Sequence, residues 1–105
     1  MALGASAIYA NFTGYYPAAV KNFNQSHRVT CRDNLVMDCP NSNGIWYDVG
    51  NTDGLFVNNW VQDCLDGFFF EISDGAICAG NVFLNCHKGI RALNGANVHA
   101  WHNTL

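Results

Sequence analysis

A chain of 105 residues, half of them apolar, has room for one domain with a buried core. Five Lys and Arg against eight Asp and Glu leave a net charge of −3, so there is no basic surface to neutralise a nucleic-acid backbone, and nucleic acid is not an expected partner. The apolar runs, such as the one around Gly67 to Phe70, fall far short of the roughly 20 residues of a membrane helix, so no membrane span or membrane partner is expected.

The first stretch, residues 1–28, is expected to form an N-terminal cap or an irregular first coil. Tyr15, Tyr16 and Phe23 are its candidate packing residues, and Asn11 is a possible trace of an earlier coil. It begins Met1-Ala-Leu-Gly-Ala-Ser-Ala-Ile and lacks the basic start of a secretory signal. Asn11-Phe-Thr and Asn24-Gln-Ser match the glycosylation sequon, a triplet that arises often by chance in Asn-rich loops.

Residues 29–105 repeat themselves. Asn34-Leu-Val-Met-Asp-Cys39 returns as Asn59-Trp-Val-Gln-Asp-Cys64 and as Asn81-Val-Phe-Leu-Asn-Cys86, with a partial copy at Asn103-Thr-Leu105. The asparagines are 25, 22 and 22 residues apart. Each full copy leads into a glycine and a short apolar strand: Gly44-Ile-Trp-Tyr-Asp-Val49, Gly67-Phe-Phe-Phe-Glu-Ile72 and Gly89-Ile-Arg-Ala-Leu93. A period near 22, made of short β-rich stretches without a 3.6-residue rhythm, calls for stacked strands and not helix pairs. Leucine-rich repeats share the period but need Leu at fixed positions, where this chain repeats Asn, Cys, Gly and Val or Phe.

The recurring V-x-x-x-N-N-x-V pattern followed by Gly-Ile resembles the pectate-lyase-like superfamily of parallel β-helices over about residues 29–105. The resemblance implies an all-β fold, a right-handed parallel β-helix solenoid with about four coils of 22–25 residues that stops mid-coil at Leu105. An open coil end presents unpaired backbone groups, so a homo-oligomer or the remainder of a longer chain is expected to cover it. Polysaccharide lyases, polygalacturonase-like hydrolases, epimerases and phage tailspikes share this superfamily, and fold by itself does not choose among them.

Alternation assigns the faces. Val29, Cys31, Phe56, Ala76, Cys78, Val98 and Ala100 fall on one inward parity. Val36, Val61, Phe83 and Leu105 form a second inward stack, and Cys39, Cys64 and Cys86 a third. Five cysteines match neither a CxxC metal pattern nor a paired disulfide framework, and they read as small buried hydrophobes with raised thiol pKa. Asn34, Asn59, Asn81 and Asn103 read as a structural ladder whose amides bond successive coils. Cys86 and His87 face different ways, so no thiol nucleophile is expected there.

After the glycines, Ile45, Tyr47 and Val49, then Phe68, Phe70 and Ile72, are expected inside. The opposite parity sends Trp46 and Asp48, Phe69 and Glu71, and Arg91 and Leu93 to the outer face on successive coils. Aromatic faces suit pyranose rings, and neighbouring carboxylates suit acid–base chemistry. The expected function is therefore a carbohydrate-active module of glycoside hydrolase-like type. Asp48 and Glu71 are its candidate catalytic residues, Glu71 as acid/base and Asp48 as nucleophile or second carboxylate. Trp46, Phe69 and Arg91 are the candidate residues that bind a poly- or oligosaccharide, with no cofactor required. A lyase alternative places Ca²⁺ on Asp48 and Glu71, with Asp53 or Asp74, and gives Arg91 the uronate. The Asp-Gly turns already account for Asp53 and Asp74. A third alternative is a non-catalytic assembly module. A carbohydrate-active role implies an extracellular or periplasmic location, and free core cysteines are equally compatible with the cytoplasm.

Overall fold

The computed structural model describes residues 2–4, 7–9 and 17–105, and none of these is helical. The strands follow one another in triplets, one triplet per coil. The first coil holds β1 (Ala2–Gly4), β2 (Ala7–Tyr9) and β3 (Ala18–Phe23). The second holds β4 (Thr30–Arg32), β5 (Leu35–Met37) and β6 (Asn43–Asp48), and the third β7 (Thr52–Val57), β8 (Trp60–Gln62) and β9 (Asp66–Glu71). The fourth holds β10 (Asp74–Ala79), β11 (Val82–Leu84) and β12 (Lys88–Leu93), and β13 (Ala96–Trp101) opens a fifth. Every third strand joins the same sheet, giving a first sheet β1-β4-β7-β10-β13, a second β2-β5-β8-β11 and a third β3-β6-β9-β12, all parallel. This is a parallel β-helix of about four turns, as the repeat implied. The described part of residues 1–28 contributes one strand to each sheet. Asn11, Tyr15 and Tyr16 lie outside the described residues.

The strands are short because each coil must turn several corners, and the corners recur in register. Asp33, Asn58, Gly80 and His102 have left-handed φ between +54° and +67° at the corner between the first and second sheets. Asp38, Asp63 and Asn85, with φ from +53° to +60°, do the same one corner later. Asp, Asn and Gly dominate these positions because they enter the left-handed region at least steric cost.

The asparagine ladder is present. The Nδ2 of Asn34 donates to Oδ1 of Asn59 at 2.9 Å, Asn59 to Asn81 at 3.0 Å, and Asn81 to Asn103 at 2.9 Å. Asn59 Nδ2 also donates to the Cys31 carbonyl, and Oδ1 of each acceptor takes the backbone N–H of the previous rung. A buried corner that would otherwise strand backbone groups is thus satisfied.

Inside, Val36, Val61 and Phe83 stack as expected, and Phe56 lies 4.6 Å from Phe68 with rings nearly parallel. Tyr47 meets Phe68 edge-on and donates its hydroxyl to the Val29 and Leu55 carbonyls, at 3.1 and 3.3 Å. Four inward assignments need correction, one of them Ala100, which is exposed on the fifth coil. Val49 and Ile72 take left-handed φ of +55° and +48°, which breaks the alternation at the end of the strand and turns both side chains away from the core. Leu105, on the last rung, is exposed.

Candidate functional site

The outer face of the third sheet carries the residues that the alternation selected, in two rows that run across the coils. Backbone register aligns Lys21 with Trp46, Trp46 with Phe69, and Phe69 with Arg91. Two residues along each strand, it aligns Phe23 with Asp48, Asp48 with Glu71, and Glu71 with Leu93. The two rows are separated by one inward position, so the face follows from strand alternation alone.

In the first row the side chains stack on one another. Lys21 Nζ lies 3.8 Å from the Trp46 ring centre, Trp46 and Phe69 are 4.8 Å apart at 22°, and the Arg91 guanidinium is 4.7 Å from Phe69. Trp46 is 1% exposed and Phe69 is fully buried, which corrects the expectation of an open aromatic platform. Outward parity placed them properly, but ring-on-ring stacking with a cation at each end closes the faces a sugar would use. Arg91 is also engaged, with Nη1 2.9 Å from the buried Asp66 carboxylate. The expected clamp on a uronate would have to compete with that pair.

In the second row the carboxylates are neighbours, as predicted. Asp48 is 7% exposed and its Oδ2 is 3.0 Å from Lys21 Nζ. Glu71 is more open, and its carboxyl is raised above the ordinary value of 4.5, first by desolvation and then by the charge and hydrogen bond of Asp48. Lys21 and Arg91 pull in the other direction and do not cancel the shift. The pair is therefore differentiated, with Asp48 held by a cation and Glu71 biased toward holding a proton. Phe23, beside Asp48, is 57% exposed and is the open aromatic of this face. Lys21 is absent from the sequence reading, and Phe23 stands in it only as a packing residue of the N-terminal cap or irregular first coil, whereas it is exposed. Their two-residue spacing, the same as that of Trp46/Asp48 and Phe69/Glu71, was the signal that marks them.

The Ca²⁺ set of the lyase alternative is not assembled. No three His, Cys, Asp or Glu side chains group as metal ligands among the described residues. Asp74 instead accepts from Asn97 at 2.7 Å, and Asp53 lies 3.8 Å from His27.

The thiols divide. Burial raises Cys31, and pushes Cys78 up to about 12, as expected of core cysteines. Cys39 and Cys64 pair across rungs, and Cys86 continues the same ladder. There the expectation fails for one member. A hydrogen bond from Cys64 stabilises the Cys86 thiolate and lowers it to about 7, while holding Cys64 protonated. Identical residues in a ladder acquire different properties because the hydrogen bond they share favours the thiolate on Cys86 and the thiol on Cys64.

Coil geometry, parallel sheets and ladders define a parallel β-helix of the pectate-lyase-like class. Residues 5–105 match the family described as periplasmic copper-binding protein (NosD), and the chain belongs to that family. No curated protein and no solved structure matches it. The donors available test the metal in the family's description. A Cu(II) centre of several nitrogen and oxygen ligands does not fit, since no group of three ligands exists among the described residues. The soft thiols of Cys64 and Cys86 on adjacent rungs do fit a low-coordinate Cu(I) ion.

Proposed function

We propose that this chain is a carbohydrate-active β-helix module of glycoside hydrolase-like type, with Asp48 and Glu71 as its acid–base pair. The observation that carries the reading is the differentiated carboxylate pair on one outer rung row, with Phe23 exposed beside it. Glu71, biased toward its protonated form, is suited to donate a proton to a glycosidic oxygen. Asp48, paired with Lys21, is suited to act as the carboxylate that stabilises or attacks the developing cation. Phe23 offers the apolar platform for a pyranose face, in place of Trp46 and Phe69. The Lys21-Trp46-Phe69-Arg91 stack, whose two rings are buried, then acts as the rigid support that holds the pair, not as the binding surface.

The test is saccharide binding and reducing-end release over a panel of neutral and acidic polysaccharides. Glu71→Gln is expected to lower turnover by about 10²-fold or more while retaining binding. Phe23→Ala is expected to weaken binding, with the fold retained by circular dichroism. Wild-type protein that neither binds nor cleaves any member of the panel would remove the proposal.

A second reading, favoured by the thiol ladder and the family description, is copper binding. Cys64 and Cys86 would hold the ion, which when bound supplies a soft Lewis-acid centre. Uptake of Cu(I) by the reduced protein, followed by competition with a chromophoric chelator, tests it.

A further inference from the structure

The corner that carries Cys64 and Cys86 is held in register by the same rung-to-rung bonding as the rest of the solenoid. Backbone bonds lock the two rungs together on both sides of the thiols: Asp63 N–H donates to Leu84 O at 3.0 Å, His87 to Cys64 O at 3.1 Å and Lys88 to Leu65 O at 2.9 Å. Asn85 Nδ2 adds a 2.7 Å bond to Asp63 Oδ1 just ahead of the cysteines. Adjacent rungs of a parallel sheet lie about 4.8 Å apart. A zinc–thiolate bond is about 2.3 Å, so two metal–sulfur bonds of that size in line span about 4.6 Å. Thiols on neighbouring rungs are thus separated on the scale that one bridging ion spans.

Donor number and softness select the ion. Two thiolates without a third ligand suit a soft d¹⁰ monovalent cation and fail the four-coordinate demand of Zn²⁺. Access selects which pair in the ladder is used. Cys39 is fully buried, whereas Cys86 is partly exposed. Cys64 lines an open cavity of about 670 Å³ whose wall includes Asp38, Asp63, Asn85 and His87. Two carboxylates at that opening favour the approach of a cation.

Resting on the second reading above, we propose that Cys64 and Cys86 bind one Cu(I) ion as a linear bis-thiolate bridging the third and fourth coils. Binding forms two Cu–S bonds and releases the protons of both thiols, leaving a complex with one net negative charge and no change in oxidation state. Because the ion clips two coils, it stabilises the solenoid as well as occupying it.

The experiment titrates the reduced full chain anaerobically with Cu(I), using bicinchoninate as competitor and ascorbate to maintain the valence. One equivalent per chain, an ultraviolet thiolate-to-copper band, and a rise in Tm on loading are expected. Cys86→Ser, at the partly exposed position, loses the band and the Tm rise. Cys86→Ala repeats that loss without a hydroxyl donor, and Cys78→Ser, in another ladder, keeps both. Circular dichroism confirms the fold of each variant. No uptake by the folded wild-type chain overturns both the site and the copper reading. Uptake that survives in folded Cys86→Ser and Cys86→Ala overturns this site alone and leaves copper binding elsewhere. Nitrogen or oxygen scatterers in the X-ray absorption spectrum overturn the linear bis-thiolate.

Discussion

Glu71 is the residue at which local chemistry departs most from composition. Its neighbour Asp48 and partial desolvation favour the protonated form, so the folded chain binds a proton more tightly than the unfolded one. The contribution to stability is complete below the ordinary carboxyl value of 4.5 and is lost as pH rises through the raised folded value. Glu71→Gln is therefore expected to raise Tm at pH 7 relative to wild type and to flatten the decline in Tm above pH 4.5, read by thermal melts across pH. A Tm at pH 7 below wild type would show that Glu71 is stabilised by its cations instead. Asn59 is the second informative residue. Its side chain accepts from Asn34 and donates to Asn81 and to the Cys31 carbonyl. Each buried polar group left without a partner costs about 1–3 kcal/mol, so Asn59→Ala is expected to lose about 3 kcal/mol or more in urea unfolding. Asn103→Ala, at the last rung, is expected to lose less.

At the scale of elements, the third sheet is where sequence alternation and tertiary structure meet. Gly44, Gly67 and Gly89 stand second in its strands on three successive coils, and the space there is already taken. A Cβ on Gly67 would lie 2.5 Å from the Phe83 ring and 2.7 Å from the Gly89 carbonyl oxygen. The neighbour on one side is backbone, which has no rotamer to yield. Gly67→Ala is expected to cost about 1–3 kcal/mol, measured as a lower urea midpoint. The strand positions of Trp46, Asp48, Phe69, Glu71 and Arg91 were legible from period-two alternation. Their exposure was not, because alternation specifies direction and says nothing about how side chains of adjacent rungs close over one another. Lys21 completes the row only through the pairing of β3 with β6.

At the scale of the molecule, coils have no separate cores. Phe56 of the third coil stacks on Phe68 of the same coil and lies 6.1 Å from Phe83 of the fourth, so aromatic packing passes through the coil boundary. The asparagine and cysteine ladders cross the same boundaries. Unfolding in urea is accordingly expected as one transition, with tryptophan fluorescence and far-ultraviolet circular dichroism giving the same midpoint. Separate midpoints would mean that the coils melt independently.

The architecture was decided by the sequence itself. A 22 to 25 residue period, with Asn, Cys and Gly returning in step, leaves stacked parallel strands as the arrangement that pairs each ladder with its own kind. Left-handed corners at Asp, Asn and Gly agree with it residue by residue. Only tertiary structure decided which outward groups meet solvent and which thiol is distinctive. Phe23 is open and Trp46 closed, and Cys86 differs from Cys31 and Cys78, because burial and electrostatics depend on the neighbouring rungs and not on position within a repeat.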